Sequence, residues 1–248
     1  DCTAIDCRLG KILVEGGVFR VDGRIGSNAL THLADLVDHE GPSALARAEG
    51  DFVALMVTVG ATYAFKSFTS QYQLYYREAD GAIANRLSHF LDAATARWNE
   101  DYFGRHVLIV PGYQFMSAET PLSDVRRVLP GEMVCIGPTI TRQHLMRRDY
   151  RYRLDEAQRP ADVAPQILAP LRDSIRGRLA AYPDAPVCVE ISRGRHSSFL
   201  PGLLGEQTSR IRGVMFSQPN VPSHAVSERY AREVAARYGP REALVLGT

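Results

Sequence analysis

Lysine is almost absent from this chain: Lys11 and Lys66 are the only two in 248 residues, and none follows position 66. Any chemistry in residues 67–248 that needs a lysine, on a phosphate or as a general base, must borrow it from elsewhere. Cysteine is scarce as well. Cys2, Cys7, Cys135 and Cys188 lack the paired spacing of a zinc site, and they read as free thiols in a reducing cytoplasm. No apolar run approaches the ~20 residues of a membrane span. The opening residues DCTAIDCRLG show no signal-peptide pattern, so the expected location is the cytoplasm. A net charge of +1, with 23% charged and 45% hydrophobic residues, gives no bulk attraction to nucleic acid or to a membrane surface.

What the chain does contain is a pattern that changes at mid-length. At roughly 150 residues per domain, this length favours two domains. KILVEGGVFR (11–20) reads as a strand interrupted by glycine, and Ser27 to His39 as a helix. Pro42 to Glu49 reads as a second, short helix. Asp51–Val59, Thr62–Phe68 and Gln73–Arg77 are β-branched or aromatic runs with short polar breaks, as in neighbouring antiparallel strands. Leu87–Arg97 reads as helix, and 107–136 as loops that close with a strand at Glu132–Ile136. Residues 137–160 turn polar and basic, which places the domain boundary there. Beyond it, a helix at Ala164–Tyr182 with Pro170 inside, a strand at Pro186–Ser192, a helix at Ser197–Leu204, a strand at Ile211–Phe216, a helix at Val226–Tyr238 and a strand at Ala243–Leu246 alternate as in a doubly wound parallel sheet.

Ligands of such a sheet bind beyond the carboxyl ends of its strands. The loop after Pro186–Ser192 is Ser192-Arg193-Gly194-Arg195-His196-Ser197-Ser198, and it enters a helix. Two arginines, a glycine and serine hydroxyls at a helix start suit an anion such as phosphate. The same residues also suit a plain helix cap with solvated arginines. His196 is the candidate acid or base, against the simpler role of a solvated or capping histidine. Tyr75 and Tyr76 read as core aromatics, and Trp98 as a cover for the helix end beside it.

The stretch VCVEISRGRHSSFLPGLL resembles the pyrophosphatase loop (PP-loop) of asparagine synthetases, β-lactam synthetases and lasso-peptide cyclases, whose pattern is strand, SGGxDSS, helix. Ser192, Gly194, Ser197 and Ser198 match, whereas Arg193 replaces a glycine and His196 the aspartate. GDFVALMV (50–57) with QLYY (73–76), and Thr120-Pro121-Leu122 through Val125 to Leu129-Pro130-Gly131, resemble segments of the family's amidotransferase-like domain in the same order. RYAREVAARYG (229–239) continues the collinear match, which covers Ile12 to the end. The resemblance implies an N-terminal Ntn-type amidotransferase-like β-sandwich with helices over residues 1–145, and a C-terminal doubly wound parallel sheet of PP-loop type, apparently incomplete, over 158–248.

Its departures matter as much. The family's glutaminase uses an N-terminal cysteine, but Asp1 stands first here and Cys2 sits in no matching context. Its glutamine-holding N-G-E element corresponds at best to Glu15-Gly16-Gly17, so no glutaminase activity is expected. The family's magnesium ligands fall on His196, Val226 and Ser227, with Glu228 one residue late. No cofactor is therefore expected, and ATP with magnesium enters only if the chain is a functional amide-forming ligase. The resemblance implies a repurposed cyclisation or transfer enzyme of specialised-metabolite biosynthesis. A macrolactam or β-lactam cyclase and a non-catalytic pseudoenzyme are the alternatives. The expected partner is a small molecule or peptide, with a protein partner or homo-oligomer left open.

Overall fold

The structure, a computed structural model, describes residues 2–25, 27–92, 96–109, 117–145, 159–181, 183–191, 199–200, 202–203, 211–217, 222–238 and 243–247. The chain divides into two compact units, Asp1–Arg153 and Leu154–Thr248.

The first unit is built on a large antiparallel sheet. Its strands are β1 (Cys2–Cys7), β2 (Gly10–Val21), β3 (Arg24–Ile25), β4 (Ala48–Val57), β5 (Thr62–Lys66), β9 (Glu132–Ile136) and β10 (Ile140–His144), in the order β1-β2-β4-β5-β9-β10 with β3 also on β2. A second sheet joins β7 (Ile83–Ala84), β6 (Tyr75–Arg77) and β8 (Val125–Arg127), again antiparallel. Helix α1 (Ser27–Glu40) presents Ala29, Leu33, Ala34 and Val37 to one face of the large sheet, where they bury against Ile12, Val14, Phe52, Ala54, Met56 and Phe65. These residues alternate along β2 and β4, as a pleated strand requires. The intervening residues Val53, Ala64 and Val134 point the opposite way and pack with Leu74, Tyr76 and Val128. Helix, large sheet and small sheet thus form three layers over two apolar interfaces.

Local chemistry explains the corners. Val21 pairs with Arg24 across the two-residue turn Asp22-Gly23, in which both residues have positive φ, 46° and 81°; this is the mirror-image turn that Asp-Gly favours. At Gly16, φ is 101°, and an added Cβ would lie 2.2 Å from the Asp51 carbonyl oxygen and 2.6 Å from the Tyr72 ring. No other residue fits there. The segment after β5 is tied back onto β4: Ser67 Oγ and Thr69 Oγ1 donate to the Gly50 carbonyl at 2.8 and 3.0 Å, and Gln71 N–H donates to Asp51 Oδ1 at 2.8 Å. Glu132 is fully buried, and it accepts from Arg142 Nε at 2.7 Å and from the Leu129 amide at 2.7 Å.

Several expectations need correction. Residues 42–47 form a 3-10 turn, and β4 begins at Ala48, earlier than Asp51. Helical structure after Leu87 ends at Phe90, while α2 (Glu100–Ile109) occupies ground read partly as loop. β1 and β10 were not expected at all. β10 has four exposed residues of five, because an edge strand needs no alternating apolar face.

In the second unit, β11 (Val187–Glu190), β12 (Ile211–Ser217) and β13 (Ala243–Gly247) run parallel in sequential order. Helix α3 (Pro160–Ala181) runs through both Pro165 and Pro170, and it packs Ile175 and Leu179 on Val187 and Val189. Helix α4 (Pro222–Tyr238) buries Ala231 and Val234 against Ile191 and Met215. The described elements make this unit a parallel α/β arrangement, and the whole chain mixed α/β with antiparallel sheets in its first unit.

Arg142→Met leaves the Glu132 carboxylate buried without its cation. Because the guanidinium is 39% exposed, the expected loss is about 2 kcal/mol, below the usual cost for a fully buried pair. Asp6→Asn, at an ion pair whose carboxylate side chain is 85% exposed, should change stability by less than about 0.5 kcal/mol. Urea unfolding measures both.

Candidate functional site

The expected anion loop Ser192, Arg193, Gly194, Arg195, His196, Ser197 and Ser198 lies outside the described residues. What is described near its ends is the strand β11, followed by buried Ile191, whose N–H donates to the Val214 carbonyl at 2.9 Å. Of the residues at the other expected magnesium position, Val226 is exposed, and the Glu228 carboxylate accepts from Arg232 Nη2 at 2.7 Å one helical turn on. That is a helix-surface ion pair. Among the described residues, no group of three or more His, Cys, Asp and Glu side chains is placed to hold a metal ion. No described helix is long and apolar enough to cross a membrane.

The first unit brings together a different set. Cys2 stands opposite Glu15, Glu15 opposite Val53, and Val53 opposite Lys66. Directly opposed residues share a face of the sheet, so these four form one row across β1, β2, β4 and β5. Since Val53 packs toward the small sheet, the row faces the space between the two sheets. A cleft of about 360 Å³ opens there. Leu13, Val53, Leu55, Leu74 and Ile83 form its apolar walls, and Cys2, Glu15, Asn85 and His89 supply its polar groups. An apolar hollow with a few convergent polar groups is the usual form of a small-molecule site.

Glu15 is the centre of that polar edge. Asn85 Nδ2 lies 3.1 Å from both Glu15 oxygens, Oε1 and Oε2. A carboxylate only accepts, so the amide must present its NH2 group and turn its carbonyl oxygen elsewhere. The segment Glu15-Gly16-Gly17, matched earlier to a glutamine-holding element, therefore lies within β2, and its carboxylate is held by an amide from beyond β7. Among the described residues Asn85 is the one hydrogen-bonding partner of this carboxylate, which leaves lone pairs open to a ligand.

Lys66 closes the row at the end of β5. It is 3% exposed, and its Nζ donates to Gln73 Oε1 at 3.3 Å. Burial, then the neighbouring Arg127 guanidinium, lower its pKa to about 8 against a smaller upward pull from Asp51. A group this perturbed beside a cleft is the kind that functional sites employ. Sequence reading passed over it. The available signal was its rarity: one of two lysines, placed at the end of an apolar strand. Tyr76, expected in the core, is buried there; burial pushes its phenol up, and its hydroxyl has no hydrogen-bond partner among the described residues. Trp98 is 60% exposed and stands edge-on to Phe103 of α2 at 5.9 Å between ring centroids.

No protein-family model matches the sequence, and no curated protein matches it. Among solved structures, the chain is similar to the allosteric regulatory enzyme of purine biosynthesis, with 12% identity and a TM-score of 0.37 over 97% of this chain and 60% of that one. It is also similar to the glutamine phosphoribosylpyrophosphate amidotransferase from B. subtilis complexed with ADP and GMP, with 13% identity and a TM-score of 0.35 over 98% of this chain and 62% of that one. This chain therefore spans less than two thirds of either. The architecture of this chain rests on the strand pairing described above.

Lys66 makes stability depend on pH. Its folded pKa, about 8, lies below the ordinary 10.5. Between those values the unfolded chain binds more protons, so stability rises with pH through that window, and the lysine costs stability below it. Relative to Lys66→Met, the parent should gain ~3 kcal/mol of unfolding free energy between pH 7 and pH 10.5. Parallel denaturant titrations that show no difference in slope would contradict the assignment.

Proposed function

We propose that this protein is an amidotransferase-like member of the asparagine-synthetase group, repurposed for a transfer or cyclisation step in specialised-metabolite biosynthesis, and that the cleft of its first unit binds an amine-bearing apolar small molecule or peptide end. The observation that carries the reading is the Glu15 carboxylate, held by one amide at the edge of a largely apolar cleft. A carboxylate there favours an ammonium or guanidinium head, and the walls of Leu13, Val53, Leu55, Leu74 and Ile83 favour an apolar body. Substrate carboxylates are repelled by the same group. Glutamine hydrolysis is not part of the reading, because Glu15-Gly16-Gly17 departs from the glutamine-holding N-G-E element of the resemblance. ATP chemistry is not part of it either, since Arg193 and His196 replace the glycine and aspartate of the PP-loop pattern.

Calorimetric titration of the whole chain tests this with four ligands: a linear alkylamine, the alkyl carboxylate of equal length, glutamine and Mg-ATP. The alkylamine should bind, and Glu15→Gln should weaken it by about tenfold or more, as expected for loss of a charge-assisted contact. The carboxylate and Mg-ATP should give no binding heat. Equal affinity for amine and carboxylate would overturn the role of Glu15, and micromolar Mg-ATP would move the protein to the ATP-dependent ligase alternative.

A further inference from the structure

The α1 sequence SNALTHLADLVDHE sends apolar and polar residues to opposite sides of the helix. Ala29, Leu33 and Val37 recur at helical spacing on the side buried against the large sheet. Asn28, Thr31, His32 and Asp35 follow one another at helical spacing on the other side, and with Arg24 of β3 they line a hollow of about 440 Å³. That volume falls in the range of small-molecule sites. Arg24 is carried there by the Asp22-Gly23 turn, which Arg47 anchors: its Nη2 and Nε lie 2.6 Å from Asp22 Oδ2 and 3.2 Å from Asp22 Oδ1. His32 is set against the same carboxylate, with Nε2 3.8 Å from Asp22 Oδ2 and a side chain only 17% exposed. The hollow lies on the outer side of α1, away from the cleft between the two sheets.

One guanidinium and one carboxylate line this hollow, and they do not pair with each other. Among the described residues, the side chains of Arg24, Asn28, Thr31 and Asp35 make no hydrogen bond or ion pair, and all four residues are exposed. A lone anion here is attracted by Arg24 and repelled by Asp35, and a lone cation meets the reverse. Only a ligand that carries both charges is matched on both sides. We propose that the hollow binds a small polar α-amino acid, with its carboxylate on Arg24 and its ammonium on Asp35. The planar guanidinium suits a carboxylate through parallel N–H donors. A carboxylate only accepts, which suits Asp35 to an ammonium, and Asn28 and Thr31 offer an amide and a hydroxyl to a polar side chain. All five lining residues are polar, so a large apolar side chain gains little there. The proposal is independent of what fills the inter-sheet cleft.

The test is an NMR titration of the intact 15N-labelled chain with three matched probes: L-serine, 3-hydroxypropanoate, which lacks the ammonium, and ethanolamine, which lacks the carboxylate. L-serine should give saturable shifts of the α1 amides between Asn28 and Asp35. Its affinity read at those amides should exceed that of either half by at least about fivefold. Arg24→Gln and Asp35→Asn should each weaken L-serine by at least about threefold, a size set by charges that face solvent. Both side chains are exposed, so neither substitution removes a buried contact. No saturable shift with L-serine overturns the proposal, as do shifts at Leu13 and Leu55 of the cleft in place of α1. So does equal affinity for L-serine and either half, or an affinity indifferent to both substitutions. The comparison of the three probes needs the parent chain alone, so a variant that fails to fold does not rescue the idea.

Discussion

The two-residue period of β2 and β4 is the constraint on which the first unit depends. It sends Ile12, Val14, Phe52, Ala54 and Met56 to the α1 side, and Leu13, Glu15, Val53 and Leu55 to the small sheet. A slip of one residue between these strands would exchange the faces and put Glu15 into the α1 core. The penalty for burying that carboxylate without a partner fixes the register as firmly as the apolar contacts do. Gly16 belongs to the same device, since its positive φ and missing Cβ let Asp51 and Tyr72 close over β2 beside the row.

That register explains why the cleft could not be found by spacing. Cys2, Glu15, Asn85 and His89 come from separated parts of the chain and share no motif; only strand pairing and the hydrogen bonds from Asn85 bring them together. The strands β2, β4 and β9 were legible because they carry apolar side chains on two buried faces, and α1 because Ala29, Leu33 and Val37 recur at helical spacing. β1 and β10 were not legible, being edge strands whose residues are mostly exposed. Helix α2 escaped notice because Gly104, a poor helix former, stands at its middle. The PP-loop reading was the most motif-like part of the sequence, and its residues 192–198 are outside those described.

A chemical theme joins the row. Glu15 and Lys66 lie on the same face with Val53 between them, two strand spacings, or ~10 Å, apart. Each is held by a carboxamide, Asn85 for the acid and Gln73 for the amine. Neutral amides fix both groups without neutralising either, which preserves a carboxylate at the cleft and a lysine of lowered pKa beside it. Glu132, by contrast, is neutralised by Arg142 and held by a backbone amide. It belongs to the architecture of β9 and β10, whereas Glu15 is left with capacity for a ligand.

Disulfide trapping at the β1–β2 pair tests the row most directly, because Cys2 already supplies one thiol. Opposed residues in neighbouring antiparallel strands lie within the Cα separation that a disulfide spans. Mild oxidation of Glu15→Cys should therefore link the new thiol to Cys2, readable as an internal crosslink by peptide mapping. Val14→Cys, which points to the α1 face, should not form that link. A crosslink from Val14→Cys, or none from Glu15→Cys, would show that the register differs, and the cleft built on it would have to be abandoned.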